Sequence, residues 1–359
     1  MRVTVIGGGI IGLATAWRLA ADRHAVTLID AATEAREASW AAAGMLAPHH
    51  EAAEVDDLWR LGVDSLARWS GFVRELTGDA GALDHRQLGG FEPALDDGDD
   101  QRIEARRRLL DAAGIATRWL ERAELAALEP GLAAPRALLI PGGQVDPRLA
   151  TAALRADAGA RGVDLRYGTA VTAIADDVVH LADGARIAHD QTVLASGAWT
   201  PALARLAGVD LAGEPVKGQL LRLQLGAGAL TRFVHSRHAY LVPRGDGSVV
   251  VGASMIRAGF DRSDDPAVIA ELAANARRLL PAASAAPITE TWTGLRPRLA
   301  GGRPVIARVR PRLIVATGHF RNGILLTPVT AETVAALVAG AEPPAAARPF
   351  ATAATLGTC

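Results

Sequence analysis

The chain has 359 residues, enough for two domains at ~100–200 residues each, and its 38 Lys+Arg against 39 Asp+Glu leave a net charge of -1. That balance excludes the basic field that gathers nucleic acid or acidic membrane surfaces. The single cysteine, Cys359, excludes an intramolecular disulfide and a Cys-rich metal site, so no metal is expected, and it points to a reducing cytoplasm.

Residues 2 to 30 read as a βαβ unit: Val3–Ile6 is an apolar strand, Ile10–Ala21 a helix, and Ala25–Ile29 a second strand ending on Asp30. The stretch is short and apolar behind Arg2, as a secretion signal is, but Gly7, Gly8, Gly9 and Gly12 would break a signal's apolar core. No transmembrane span is expected anywhere. Between strand and helix, Gly7-Gly8-Gly9-Ile10-Ile11-Gly12 supplies G-x-G-x-x-G. Gly7 permits the tight turn, Gly9 lets backbone approach a pyrophosphate, and Gly12 allows close helix packing, while the helix N-terminus offers free N–H groups to negative charge. Asp30, 18 residues past Gly12, can accept both ribose hydroxyls of an adenosine. This context predicts a dinucleotide site without separating NAD from FAD.

Ser39–Leu46 is a run of small residues, suited to backbone passing close to a flat ring. Apolar residues from Val55 to Leu76 recur at helical spacing, with Trp69 on the core side. Residues 81 to 142 change to short segments with helices over Gln101–Ala112 and Glu121–Leu128, and read as inserted material. Asp146-Pro147 then opens a helix to about Arg161, and strands resume at Asp164–Tyr167, Ala170–Ile174, Val178–Leu181 and Thr192–Leu194. Residues 214 to 256 alternate over Lys217–Leu225, Tyr240–Pro243 and Ser248–Ala253, which predicts an antiparallel sheet. A helix near Ala267–Leu280, short strands at Ile306 and Leu313–Ala316, and a helix from about Gly323 to Ala339 follow. The Pro- and Ala-rich tail after Glu342 predicts a poorly ordered end. The fold class expected is α/β: a discontinuous Rossmann-type domain over 1–80, 142–212 and 294–359, and an α+β substrate domain with an antiparallel sheet over 81–141 and 213–293.

The segments GGGIIG, SWAAAGMLAP, LASGAW, PVKGQ, HAYLVPR, GASM, WTGLRP and GHFRNGILLTP occur in the order seen in glycine oxidases of the D-amino-acid oxidase superfamily. The resemblance covers nearly the whole chain. It implies a fold resembling p-hydroxybenzoate hydroxylase, non-covalent FAD, and oxidation of glycine to its imine and then glyoxylate, with O2 as electron acceptor and H2O2 as product. In many such enzymes the imine serves thiamine thiazole synthesis. Within the superfamily the alternatives are a small D-amino acid or sarcosine as substrate, or a dehydrogenase that passes electrons to a quinone. Outside catalysis the alternative is an FAD-binding scaffold, against which retention of Arg296 and Tyr240 speaks. A homo-oligomer is compatible with all of these.

Carried over by motif, Arg296 in WTGLRP resembles the guanidinium that grips the substrate carboxylate, and Tyr240 in HAYLVPR its hydroxyl partner. A planar guanidinium fork matches a carboxylate better than a lysine point charge does. Met255, His238, His50 and Arg321 are expected around the substrate; His50 replaces the small residue common there and would narrow the pocket. The implied FAD contacts at the nucleotide end are Gly7, Gly9, Ile10, Ile11, Gly12, Asp30 and Ala31. The small-residue run contributes Ser39, Ala43, Gly44 and Met45, and the returning strands add Val171, Ser196, Gly197 and Trp199. The last motif contributes His319, Phe320, Arg321, Asn322, Gly323, Ile324 and Leu325, with its helix start turned to the flavin's pyrimidine edge. A cysteine-linked flavin is not expected, since Cys359 lies beyond the last helix.

Overall fold

The computed structural model describes residues 1–34, 36–79 and 81–352. Strand Arg2–Ile6 buries Val3, Thr4, Val5 and Ile6 together, as a parallel strand covered on both faces must. It lies inside a six-stranded sheet in the order Val305–Arg310, Leu313–Thr317, Gln191–Leu194, Arg2–Ile6, Ala25–Asp30, Asp164–Tyr167. All neighbours are parallel except the first pair. The two-residue side-chain period divides the two cores. Leu28, Val193 and Ile314 pack into one with helices Ile10–Ala21, Asp57–Thr77, Pro147–Ala160 and Thr327–Ala339, where Trp17 and Trp69 are buried. Ile29, Leu194 and Val315 face the other, beneath a meander of Val171–Ile174, Val178–Leu181 and Arg186–Ala188.

The second sheet has eight strands in the order Ile288–Leu299, Gly213–Gln224, Ser248–Gly252, Tyr240–Pro243, Phe233–His235, Gly90–Ala94, Arg136–Ile140, Arg118–Glu121. It is antiparallel throughout except between Phe233–His235 and Gly90–Ala94. Three of its strands therefore come from the 81–142 insertion, where the sequence suggested helices alone. Ile288–Leu299 also escaped the pattern reading. Its Pro297 and charged residues spoil the alternation, and they are tolerated because it is an edge strand. This strand runs across residue 294, where the sequence suggested a domain boundary.

Caps explain where the helices begin. Asp56, Asp96, Asp146 and Asp265 each accept a backbone N–H in the first turn of the helix that follows. The helix expected from Gly323 starts instead at Thr327, with Pro328 in the first turn where its missing N–H costs nothing. The tail expected to be poorly ordered turns through a 3₁₀ segment at Ala345–Phe350 that buries Ala347 and Phe350 in the first core. Residues 353–359, including Cys359 and the expectation attached to it, lie outside the described residues.

Candidate active site

A cavity of about 720 Å³ runs between the two sheets. Its nucleotide end is built by the glycine turn. At Gly7, φ is +119°, and the space a side chain would need is taken by the Ala195 backbone. At Gly9, the N-cap of helix Ile10–Ala21, a Cβ would meet only Ser39 Oγ at 3.1 Å, so a bare α-carbon faces the cavity beside the helix N-terminus. The Ser39 hydroxyl accepts the Ile10 N–H at 3.0 Å. Asp30, at a strand end on the same wall, accepts Gly8 N–H at 2.5 Å and Ala32 N–H at 2.8 Å.

The small-residue run is clamped in place. Trp292 Nε1 donates to the Ala41 carbonyl at 2.9 Å, and Arg244 Nη2 donates to that of Ala43 at 2.6 Å. Arg148 lies 3.6 Å over the Trp40 ring and holds Glu290 through two hydrogen bonds at 2.9 and 3.0 Å. Gly294 lets strand Ile288–Leu299 approach, since a Cβ there would come within 2.5 Å of Ala41 Cβ. Ala31, Ala43, Gly44, Met45, Val171 and Ser196 all reach the cavity wall, as do Gly197 and Trp199.

The turns at 318–326, rather than a helix start, form the far wall, and His319, Phe320, Arg321, Asn322, Gly323 and Ile324 line it. Phe320 has φ +48°, an uncommon state for a bulky residue, and its N–H is held by the Pro297 carbonyl at 2.9 Å. Leu325 and Gly12 do not line the cavity. The Leu325 carbonyl accepts from Ser65 and Trp69, and Gly12 packs against Gly7.

From the second sheet come Tyr240 and Arg296. Arg296 Nη1 donates to the Ser254 carbonyl at 3.0 Å and lies 3.5 Å from that of Lys217; among the described residues no carboxylate pairs with it. Its guanidinium lies on Gly218, where a Cβ would collide with it. Burial pushes the Tyr240 phenol above its usual value, with the Arg296 charge pulling the other way, so the hydroxyl stays protonated and able to donate. Arg321 reaches the same end and pairs with Glu51 at 2.6 Å. Glu51 was not singled out in the sequence, although it follows His50 directly.

Three expected substrate contacts are not at the cavity. His50 is 0 % exposed with its ring 4.8 Å from Phe233 and 6.0 Å from His235, so it fills core instead of narrowing the pocket. His238 is exposed beside Arg237, in the turn before Tyr240. Met255 is 60 % exposed, past the end of strand Ser248–Gly252. All three were carried over by motif, and motif order does not fix where a side chain points; 238 and 255 lie outside the strands that flank them.

Burial also depresses histidines around the site, His319 and His49 to about 4 and His235 to about 3. Unfolding restores each to its ordinary value of 6.5, so below that pH the unfolded chain binds more protons than the folded one. Their contribution is present above 6.5 and lost as pH falls toward the folded values. Urea unfolding at about pH 5.5 should therefore show lower stability than at about pH 7.5, by up to ~1.4 kcal/mol per histidine per pH unit. Equal stability at the two values would mean that these rings are charged when folded.

The comparisons with known proteins agree with this geometry. The family model described as FAD dependent oxidoreductase, DAO, matches residues 2–337. The chain is 32% identical to a glycine oxidase of Pseudomonas putida over 99% of each chain. It is 33% identical to the bifunctional protein ThiO/ThiG of Synechocystis, across 94% of this chain and 51% of that one. The crystal structure of glycine oxidase from Geobacillus kaustophilus superposes with a TM-score of 0.91 at 31% identity, over 98% of both chains. With a glycine turn, an acidic strand end and a cavity reaching a second sheet, the chain belongs to the DAO family of FAD-dependent oxidoreductases.

Proposed function

We propose that the chain is a glycine oxidase: glycine, O2 and water give glyoxylate, ammonia and H2O2. The observation that carries this reading is Arg296, a guanidinium held by carbonyls on one side and facing the cofactor cavity, with no carboxylate among the described residues to neutralise it. An anionic ligand completes it, and the carboxylate of an amino acid has the matching planar shape. The glycine turn, Asp30, the 39–45 run and the 319–324 turns line the remaining cavity and would hold FAD without a covalent link.

Bound FAD supplies the two-electron acceptor for the hydride of the substrate α-carbon. The protein supplies position. Arg296 and the Tyr240 hydroxyl would fix the carboxylate, which limits the poses open to the α-carbon. Ala47, Gly218 and Leu220 line this end of the cavity together with the Arg321–Glu51 pair. The amine must be neutral before its α-hydrogen leaves, and the free imine is then hydrolysed to glyoxylate. Delivery of that imine to thiamine thiazole assembly is the proposed outlet. A reducing cytoplasm is the proposed setting, supported by one cysteine in 359 residues; among the described residues no helix is long and apolar enough to cross a membrane.

Anaerobic mixing with glycine should bleach the oxidised flavin band, and aeration should release one H2O2 per glycine. Across glycine, sarcosine, D-alanine and D-proline, glycine should give the highest kcat/KM. A preference for D-proline or sarcosine would overturn glycine as the substrate, and no bleaching with any of them would overturn the oxidase. Tyr240→Phe removes one hydrogen bond to the carboxylate. It should raise KM roughly tenfold, about 1–1.5 kcal/mol, with flavin content unchanged.

A further inference from the structure

Between strand Ser248–Gly252 and helix Pro266–Leu279 the chain makes an excursion that belongs to neither. It is tied down at two points near its C-terminal end. Lys217, whose side chain is buried, donates from Nζ to Asp261 at 2.8 Å, and Thr293 Oγ1 donates to Asp264 at 2.8 Å. Freeing Asp261 would leave a buried ammonium without its partner, a costly state. Both tethers come from the second sheet. Two other contacts cross to the parallel-sheet side of the cavity. Phe260, 51 % exposed, lies with its ring 5.3 Å from that of Trp199, and the Arg262 guanidinium lies 5.4 Å from the same Trp199 ring. Arg262 Nη2 then pairs with Glu37 at 2.6 Å, and Arg262, Glu37 and Trp199 all line the cavity. Glu37 is the N-cap residue that opens the small-residue run, and it follows the strand that ends on Asp30. Burial raises its carboxyl above the usual value while Arg262 lowers it, as for a group partly withdrawn from water onto one cation.

On the reading that FAD fills this cavity, we propose that residues 257–264 are a strap that retains the cofactor, with Arg262–Glu37 as the latch across it. The latch joins a segment tethered to the second sheet to one that follows a strand of the parallel sheet, so closing it spans the layers between which the cofactor would lie. An exposed phenylalanine has a place in this arrangement, because its ring covers Trp199 at the cavity wall.

The test is the rate of flavin release from the holoenzyme, read as recovery of free-flavin fluorescence after dilution. Glu37→Gln and Arg262→Ala should each speed release by roughly three- to tenfold, the gain of a partly exposed ion pair plus a cation–π contact. The double variant should be no faster than Arg262→Ala alone, because that single change already opens the latch. Arg257→Ala, in the same segment but paired with Glu214 at 3.4 Å, should release flavin at the unaltered rate. Faster release in Arg262→Ala with none in Glu37→Gln would overturn the latch in favour of a direct contact between Arg262 and the cofactor. Unchanged release in both would overturn the strap. An unaltered chain that takes up no flavin would instead sink the FAD reading on which the strap rests.

Discussion

Arg296→Ala should lower kcat/KM for glycine by about two to three powers of ten while the protein keeps its flavin spectrum. Truncating one partner of a desolvated, hydrogen-bonded charge pair costs roughly 2–5 kcal/mol, and each 1.4 kcal/mol is tenfold. Both kinetic parameters should move. KM rises because the carboxylate loses its counter-ion, and kcat falls because an untethered glycine spends little time with its α-carbon in the reacting pose. Flavin content should hold, since the glycine turn, Asp30 and the 319–324 turns lie on other elements. Arg296→Lys should recover only part of the loss, because an ammonium offers a point contact where the guanidinium offers two parallel N–H groups. An Arg296→Ala enzyme with unaltered kcat/KM would remove the main support for a carboxylate substrate.

The nucleotide end was legible because its chemistry is local. Strand, turn, helix and acid fall within residues 2–30, and Gly7 and Gly12 answer demands of the turn itself and of the Ala195 backbone beside it. The substrate end was legible only as motifs. WTGLRP lies in an edge strand that periodicity does not reveal, and its arginine meets Tyr240 through the intervening strands Gly213–Gln224 and Ser248–Gly252. Motif order says nothing of which way a side chain points. His50 and Glu51 are adjacent, yet the first enters the core against Phe233 and the second reaches the cavity to meet Arg321. His238 would share the face of Tyr240 if the strand began two residues earlier, but it begins at Tyr240. Arg262 carried no signal at all, since its partner Glu37 lies at the opposite end of the chain and on the other sheet's side.

Gly218→Ala should come close to the loss in Arg296→Ala without touching a charged residue. Gly218 pairs with Gly294 across the ladder of two long strands, where glycine is a poor strand former costing about 0.5–1 kcal/mol relative to alanine. Its backbone needs no left-handed state, and the three atoms a methyl there would approach most closely all belong to the Arg296 guanidinium. That guanidinium is the free end of a flexible side chain, so it gives way and the strand does not. The glycine is thus kept for the arginine. Melting temperature and flavin content should remain near those of the unaltered protein, while displacement of the guanidinium by about 1 Å should lower kcat/KM on the order of a hundredfold. Combining the changes separates this account from a general loosening of the sheet. In an Arg296→Ala background the added methyl has no guanidinium to displace, so Gly218→Ala should then cost little more, and the two effects should fall far short of additive. Full additivity, or a large fall in melting temperature with kcat/KM retained, would show that Gly218 serves the strand rather than the arginine.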